Sequence, residues 1–249
     1  MKFLYWWIGN IYRLFTGIVY QKKISFDKAS SIFGASFSKN NGWNHLINTL
    51  EEYDNNNDIN FKDTSMYIFL KNFKPESISQ LADIQNVQTY LPLFVYPWGT
   101  FKKNQNTSDK NQKESRFCGP SSDIFIKDEF ERTIKLYNKL KKEGYHPWLN
   151  YNRHIGGTFL INSLGESRFI VLQGNHRMAI LSHLGKLKKI SVRNITGYKF
   201  IINEKNIHEW SLVKSKKCSK KDAINILNFF FRNDGTHLKN ILKNSNTIN

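Results

Sequence analysis

The chain has 249 residues, 40% of them hydrophobic, which excludes a disordered tail and allows one large domain or two small ones. Its formal charge is +17, yet no C2H2 spacing, basic-zipper repeat or RNP-like strand pair accompanies it. That charge therefore reads as a solvated basic surface or an attraction to an anionic membrane, ahead of sequence-specific DNA binding. Cys118 and Cys218 show neither metal-ligand nor redox spacing and fit a reducing, cytoplasmic compartment.

Residues 1–23 are aromatic and apolar, but Asn10 and Arg13 interrupt the run and no small-residue cleavage site follows. Trp6, Trp7, Tyr12 and Tyr20 beside Lys2, Lys22 and Lys23 suit a helix lying in an anionic bilayer interface, at the cytoplasmic face of a membrane. A helix docked onto the rest of the protein accounts for the same pattern. Residues 24–101 read as an N-terminal α/β region. Within it Asp54 to Asp58 form a turn or loop, Met66 to Leu70 a short buried strand, and Pro75 to Ser77 the opening of a helix through Leu81. Leu91 to Trp98, broken by Pro92 and Pro97, suits an edge strand or packed loop. Residues 102–127 read as a polar loop or linker, since Lys102 to Glu114 has almost nothing to bury.

Residues 128–249 are better organised. Asp128 can cap a helix over Glu129 to Glu143, with Gly144 and Pro147 stopping it. Strands around Thr158 to Ile161 and Phe169 to Leu172 are joined through Asn162 to Glu166 as a hairpin. A helix from Asn175 to Leu184 stops at Gly185, Lys189 to Arg193 resumes as a strand, and a further helix begins near Ser219. Helix, hairpin, helix, strand and helix in that order predict an α+β domain with a C-terminal helical extension.

The chemistry concentrates where the second strand meets the helix. Gly174 permits a tight transition or close ligand approach, and Asn175 can cap the helix. The first-turn N–H groups and the positive helix end favour a phosphate or carboxylate. Arg177 adds a planar fork for bidentate phosphate contact, and His176 a proton donor or acceptor near neutrality. Arg153 and His154 precede Gly156–Gly157, read as a flexible turn that can bring positive charge beside a phosphate, or as an ordinary surface loop. Glu143 can orient a metal or a nucleophile, although a carboxylate on a charged helix face is the simpler reading, and Asp123 can hold a divalent ion if the fold brings it partners. Trp148 and Tyr151 can stack on a base or sugar, but core or surface packing is the simpler assignment.

The run Leu-Gln-Gly-Asn-His-Arg-Met-Ala-Ile-Leu-Ser-His-Leu-Gly over 172–185, with Lys-Lys-Ile-Ser-Val-Arg after it, resembles the nucleotide-binding segment of the ParB/sulfiredoxin superfamily (ParB-like nuclease domain). Gly174, His176, Arg177 and Ala179 carry the match, and Glu143 to Pro147 resembles the family's earlier helix-glycine-proline segment. The resemblance spans 128–193 and implies a small mixed sheet packed with helices. It also implies binding of ATP or CTP with Mg2+, and phosphoryl transfer to a small molecule or nucleotide hydrolysis. In that reading Gly174, Asn175, His176, Arg177 and Arg153 hold the nucleotide, His176 and Glu143 act in catalysis, and Glu143 and Asp123 hold the metal. The chain has no Cys in the glycine turn, which argues against sulfiredoxin chemistry, and no helix pair for reading DNA after Arg193, which argues against ordinary partition function. The alternative is a noncatalytic module that senses a phosphorylated ligand at a membrane surface. DNA binding through the basic surface is the third reading.

Overall fold

From the N-terminus run β1 (Gln21–Ile24), β2 (Ala29–Ser30), α1 (His45–Asn55), α2 (Ser65–Asn72), α3 (Ile78–Leu81), β3 (Val95–Tyr96), β4 (Gly99–Thr100) and α4 (Asp123–Glu143). There follow β5 (Ile155–Ile161), β6 (Ser167–Gln173), α5 (Asn175–Leu184), β7 (Ile190–Arg193), β8 (Ile201–Asn203), α6 (Ser211–Lys214), α7 (Lys220–Arg232) and α8 (Thr236–Asn246). The structure, a computed structural model, describes residues 21–86, 89–100, 115–147, 154–195 and 197–246. The aromatic segment through Tyr20, the whole polar stretch 102–114 and Arg153, Trp148 and Tyr151 lie outside the described residues.

The fold is mixed α+β, a small curled sheet packed against helices. Among the described residues the sheet runs β1-β7-β5-β6-β2, with β8 also paired to β5. Its centre is the expected hairpin, antiparallel β5 and β6 with Thr158 opposite Ile170 and Phe159 opposite Phe169. One edge of β5 serves two parallel neighbours in succession, β7 at Ile155 and Gly156 and β8 from Phe159 to Ile161. β1 pairs antiparallel with β7, and β2 parallel with β6. Residues from the start of the described chain therefore complete a sheet whose centre lies far downstream.

Four expectations change. First, a helix over 1–23 overruns its end, because Gln21 to Ile24 is a strand hydrogen-bonded to Ile190 through Arg193. Second, Met66 to Leu70 is helix: Thr64 caps α2 by accepting from Tyr67 N–H, and Met66, Phe69 and Leu70 are buried while Ile68 is exposed. A short apolar run carries too little periodicity to separate the two states, and here the cap decides. Third, α4 starts at Asp123, because Ser122 accepts from Phe125 N–H and satisfies a first-turn donor. The end of the expected linker over 102–127 is therefore helical, and Asp128 lies inside the helix instead of capping it.

Fourth, Gly156 and Gly157 belong to β5, not to a turn, and a register irregularity falls between them. A Cβ on Gly157 would stand 2.0 Å from the Ile170 carbonyl oxygen, so the close pairing of β5 with β6 needs glycine there.

Along α4 the buried positions Ile126, Glu129, Thr133, Tyr137 and Leu140 recur at helical spacing on one side. Two polar residues share that inward stripe with the apolar ones. Across from it lies α5, which follows β6 directly, packs against both α1 and α4, and buries Met178, Ala179 and Ile180 completely. Among the described residues no helix is long and apolar enough to cross a membrane.

Candidate functional site

The strand-to-helix junction opens onto a cavity of about 620 Å³. Gly174 supplies the turn with φ 88° and ψ 27°, a left-handed conformation that glycine adopts without steric cost. Gly174, and not Asn175, takes the cap position, so no side-chain oxygen covers the first turn of α5. Asn175, His176 and Arg177 line the cavity with it. The start of α1 reaches the same cavity through Asn44, His45 and Leu46, with Asn44 Oδ1 accepting from Leu46 N–H at 3.1 Å. Two positive helix ends thus face one space.

Arg116, Arg132, Lys139 and Arg177 also line it, against one lining carboxylate among the described residues, Glu143. Arg177 Nη1 donates to the His154 carbonyl at 3.0 Å, which anchors its guanidinium. Arg116 Nε lies 2.9 Å from Glu129 Oε1, and Arg132 also binds Glu129. The Glu129 side chain is 5% exposed while those of Arg116 and Arg132 are 53% and 43% exposed, so a buried carboxylate holds two half-exposed guanidiniums by their inner edges.

The hydrogen bonds assign the state of His176. The Thr133 hydroxyl donates its one proton to the Glu129 carbonyl at 2.6 Å, so at 2.7 Å it accepts from His176 Nδ1. Nε2 then carries the lone pair and accepts from Arg132 Nη2 at 3.0 Å. Burial first, and then neighbouring cations led by Arg132, hold the His176 pKa well below its usual value. The approach of Nε2 to Glu129 Oε2 at 3.5 Å is therefore no ion pair, since Arg132 bonds to both. A neutral ring bonded through both nitrogens fits His176 for fixing Arg132, and poorly for exchanging a proton at neutral pH.

The two sequence-predicted carboxylates are placed apart. Asp123 and Glu143 occupy opposite ends of a 21-residue helix, about 30 Å from each other, and cannot share an ion. Asp123 lies outside the cavity, bound to Lys71 at 2.7 Å, Lys62 at 3.0 Å and the Tyr67 hydroxyl at 3.2 Å. The lysines hold its carboxyl down to about 2. Glu143 is half-exposed on the cavity wall near Lys139, about 15 Å along α4 from the Thr133 that binds His176. Glu129 stands where Glu143 was expected. Among the described residues no group of three or more His, Cys, Asp and Glu side chains is placed to hold a metal ion.

The sequence reading missed Glu129, Arg132, Thr133, Arg116 and His45. One signal was available: extending α4 upstream to Ser122 puts Glu129 and Thr133 on the stripe of Ile126, Tyr137 and Leu140, where a carboxylate and a hydroxyl need a reason to be buried. No local signal marks Arg116 or His45, whose places depend on chain packing.

A second polar cluster ties the same helices together farther along. Asp54 accepts from Tyr137 Oη at 2.7 Å and bonds His183 Nε2 at 2.8 Å, with Lys141 Nζ at 3.6 Å. Cys118 and Cys218 are both buried. Compared with known proteins, the chain matches no family model, no curated protein and no solved structure.

Proposed function

We propose that the protein binds the phosphate of a phosphorylated small molecule or nucleotide in this cavity, and that residues 128–193 are an element of the ParB/sulfiredoxin type. The observation that carries the reading is the arrival of two helix N-termini and three guanidiniums, Arg116, Arg132 and Arg177, at one cavity. First-turn N–H groups of α5 receive the phosphate oxygens, and the guanidiniums close around them. Glu129 and His176 act as positioning residues, the first orienting Arg116 and Arg132 and the second bonding the same Arg132 nitrogen, Nη2, that Glu129 holds. With His176 neutral, recognition takes precedence over phosphoryl transfer.

Titration calorimetry with pyrophosphate, ATP and CTP, each with and without Mg2+, tests the reading. Arg116→Ala and Arg132→Ala should each weaken anion binding by about 10- to 100-fold, the range of a charge-assisted hydrogen bond. Asp123→Asn, outside the cavity, should leave affinity unchanged. No heat from any of the three anions with folded protein ends the proposal.

A further inference from the structure

The cavity has two chemistries. Its cationic part is the first turn of α5 with Arg116, Arg132 and Arg177; much of the remaining wall is apolar, with Phe33, Phe37, Leu46, Leu136, Leu172 and Leu238 contributed by separate segments of the chain. The His45 ring extends that apolar wall, stacked on Phe69 with ring centroids 3.9 Å apart and planes 6° apart. Burial lowers the His45 pKa to about 3, so the ring is neutral.

Two polar side chains among these apolar ones, Ser31 and Asn44, are turned on the protein's own backbone. Ser31 Oγ accepts from Ala35 N–H at 3.0 Å and Phe33 N–H at 3.3 Å. Asn44 donates to the Ser36 carbonyl at 3.0 Å and accepts from Leu46 N–H at 3.1 Å. A ribose hydroxyl or base edge placed against Leu136, Leu172 and the phenylalanines would lose water bonds without replacement. An alkyl chain loses nothing there. The cavity also runs along α4 from Arg132 past Leu136 and Leu140 to Glu143, about 16 Å along the helix axis, which suits an extended ligand.

We infer that the ligand is a phosphate monoester of an extended apolar alcohol, with its head on the first turn of α5 and the arginines and its chain against Leu136 and Leu172. The inference rests on the phosphate-binding reading and selects, within it, an amphiphile over a nucleotide. Occupancy of 620 Å³ falls in the ordinary range for small-molecule cavities.

The test is calorimetry on the full chain with methyl phosphate, octyl phosphate below its micelle-forming concentration, octanol, ATP and CTP. Octyl phosphate should bind at least about 100-fold tighter than methyl phosphate, since each buried methylene contributes roughly fourfold. Leu136→Gln should cut that advantage by about tenfold and leave methyl phosphate unchanged. Leu172→Gln serves as a second, independent variant, both positions being only partly buried. Octyl phosphate no tighter than methyl phosphate, or ATP or CTP tighter than octyl phosphate, overturns the amphiphile while leaving phosphate recognition standing. Octanol equal to octyl phosphate, or no binding by any phosphate, removes phosphate recognition and the inference with it.

Discussion

Thr133 Oγ1 and His176 Nδ1 meet at 2.7 Å across the contact of α4 with α5, and the direction of that bond sets the tautomer of the histidine and the orientation of Arg132. Thr133→Val keeps the shape and removes the acceptor, leaving a buried ring N–H unpaired. Stability should fall by about 1–3 kcal/mol in urea unfolding. Anion affinity should fall too, because Arg132 loses its fixed partner. Unchanged stability together with unchanged affinity would show that the bond has no energetic consequence.

Glu129→Gln separates stability from affinity. The buried carboxylate compensates Arg116 and Arg132, so its neutralisation should destabilise the fold by about 1–3 kcal/mol. The same change frees two guanidiniums from an internal anion, and pyrophosphate should bind more tightly. Affinity that falls in parallel with stability would instead show that orientation by Glu129 outweighs its competition with the ligand.

Acid sensitivity has a defined sign. His176 is held well below its usual pKa, His45 near 3, and His237 is lowered as well, in each case with burial as the largest cause. Below about pH 6.5 the unfolded chain takes up protons at these histidines and the folded chain does not. Stability is therefore greatest above neutrality and falls as pH drops through 6.5. A second decline begins below about pH 4, because Asp54, Asp222 and Asp234 have lowered folded pKa values and the unfolded carboxylates protonate first. Urea midpoints measured from pH 8 to pH 5 should show the first slope, and His45→Phe should make it shallower. A midpoint rising toward acid would contradict the neutral histidines.

Gly157→Ala should be among the most damaging single-methyl additions in the chain. The new Cβ meets a carbonyl oxygen at 2.0 Å that the β5–β6 ladder holds in place, and the cost should reach about 3 kcal/mol or more. Gly165→Ala, in the open hairpin loop at φ 80° with nothing within 4 Å, should cost only about 1–2 kcal/mol from its left-handed backbone. Thermal unfolding of the two variants checks the ordering.

How much of this was legible depends on the range of the forces involved. The helix from Asn175 to Leu184, its stop at Gly185 and the hairpin through Asn162 to Glu166 were readable because glycine turns and apolar runs act locally. Met66 to Leu70 was not, since a five-residue apolar run fits either a strand or a helix until Thr64 is seen as its cap. The strands Gln21–Ile24 and Ala29–Ser30 pair with residues far along the chain, and no short-range pattern announces such partners. For the site, Gly174 to Arg177 came from one junction, whereas Glu129 and Thr133 were hidden by placing the start of α4 six residues late. Arg116 reaches the cavity only through tertiary packing.

The helix α5 is moored at both ends, His176 to Thr133 at its start and His183 to Asp54 at its close. A rod fastened twice resists swinging about either fastening, which steadies the first turn of α5 at the cavity. Residues 31–37 form another part of the wall and are tied to the same helix, the Ser182 hydroxyl donating to the Phe37 carbonyl. Amide hydrogen exchange should then be slow both along α5 and across residues 31–37, the helix steadying the wall it is tied to.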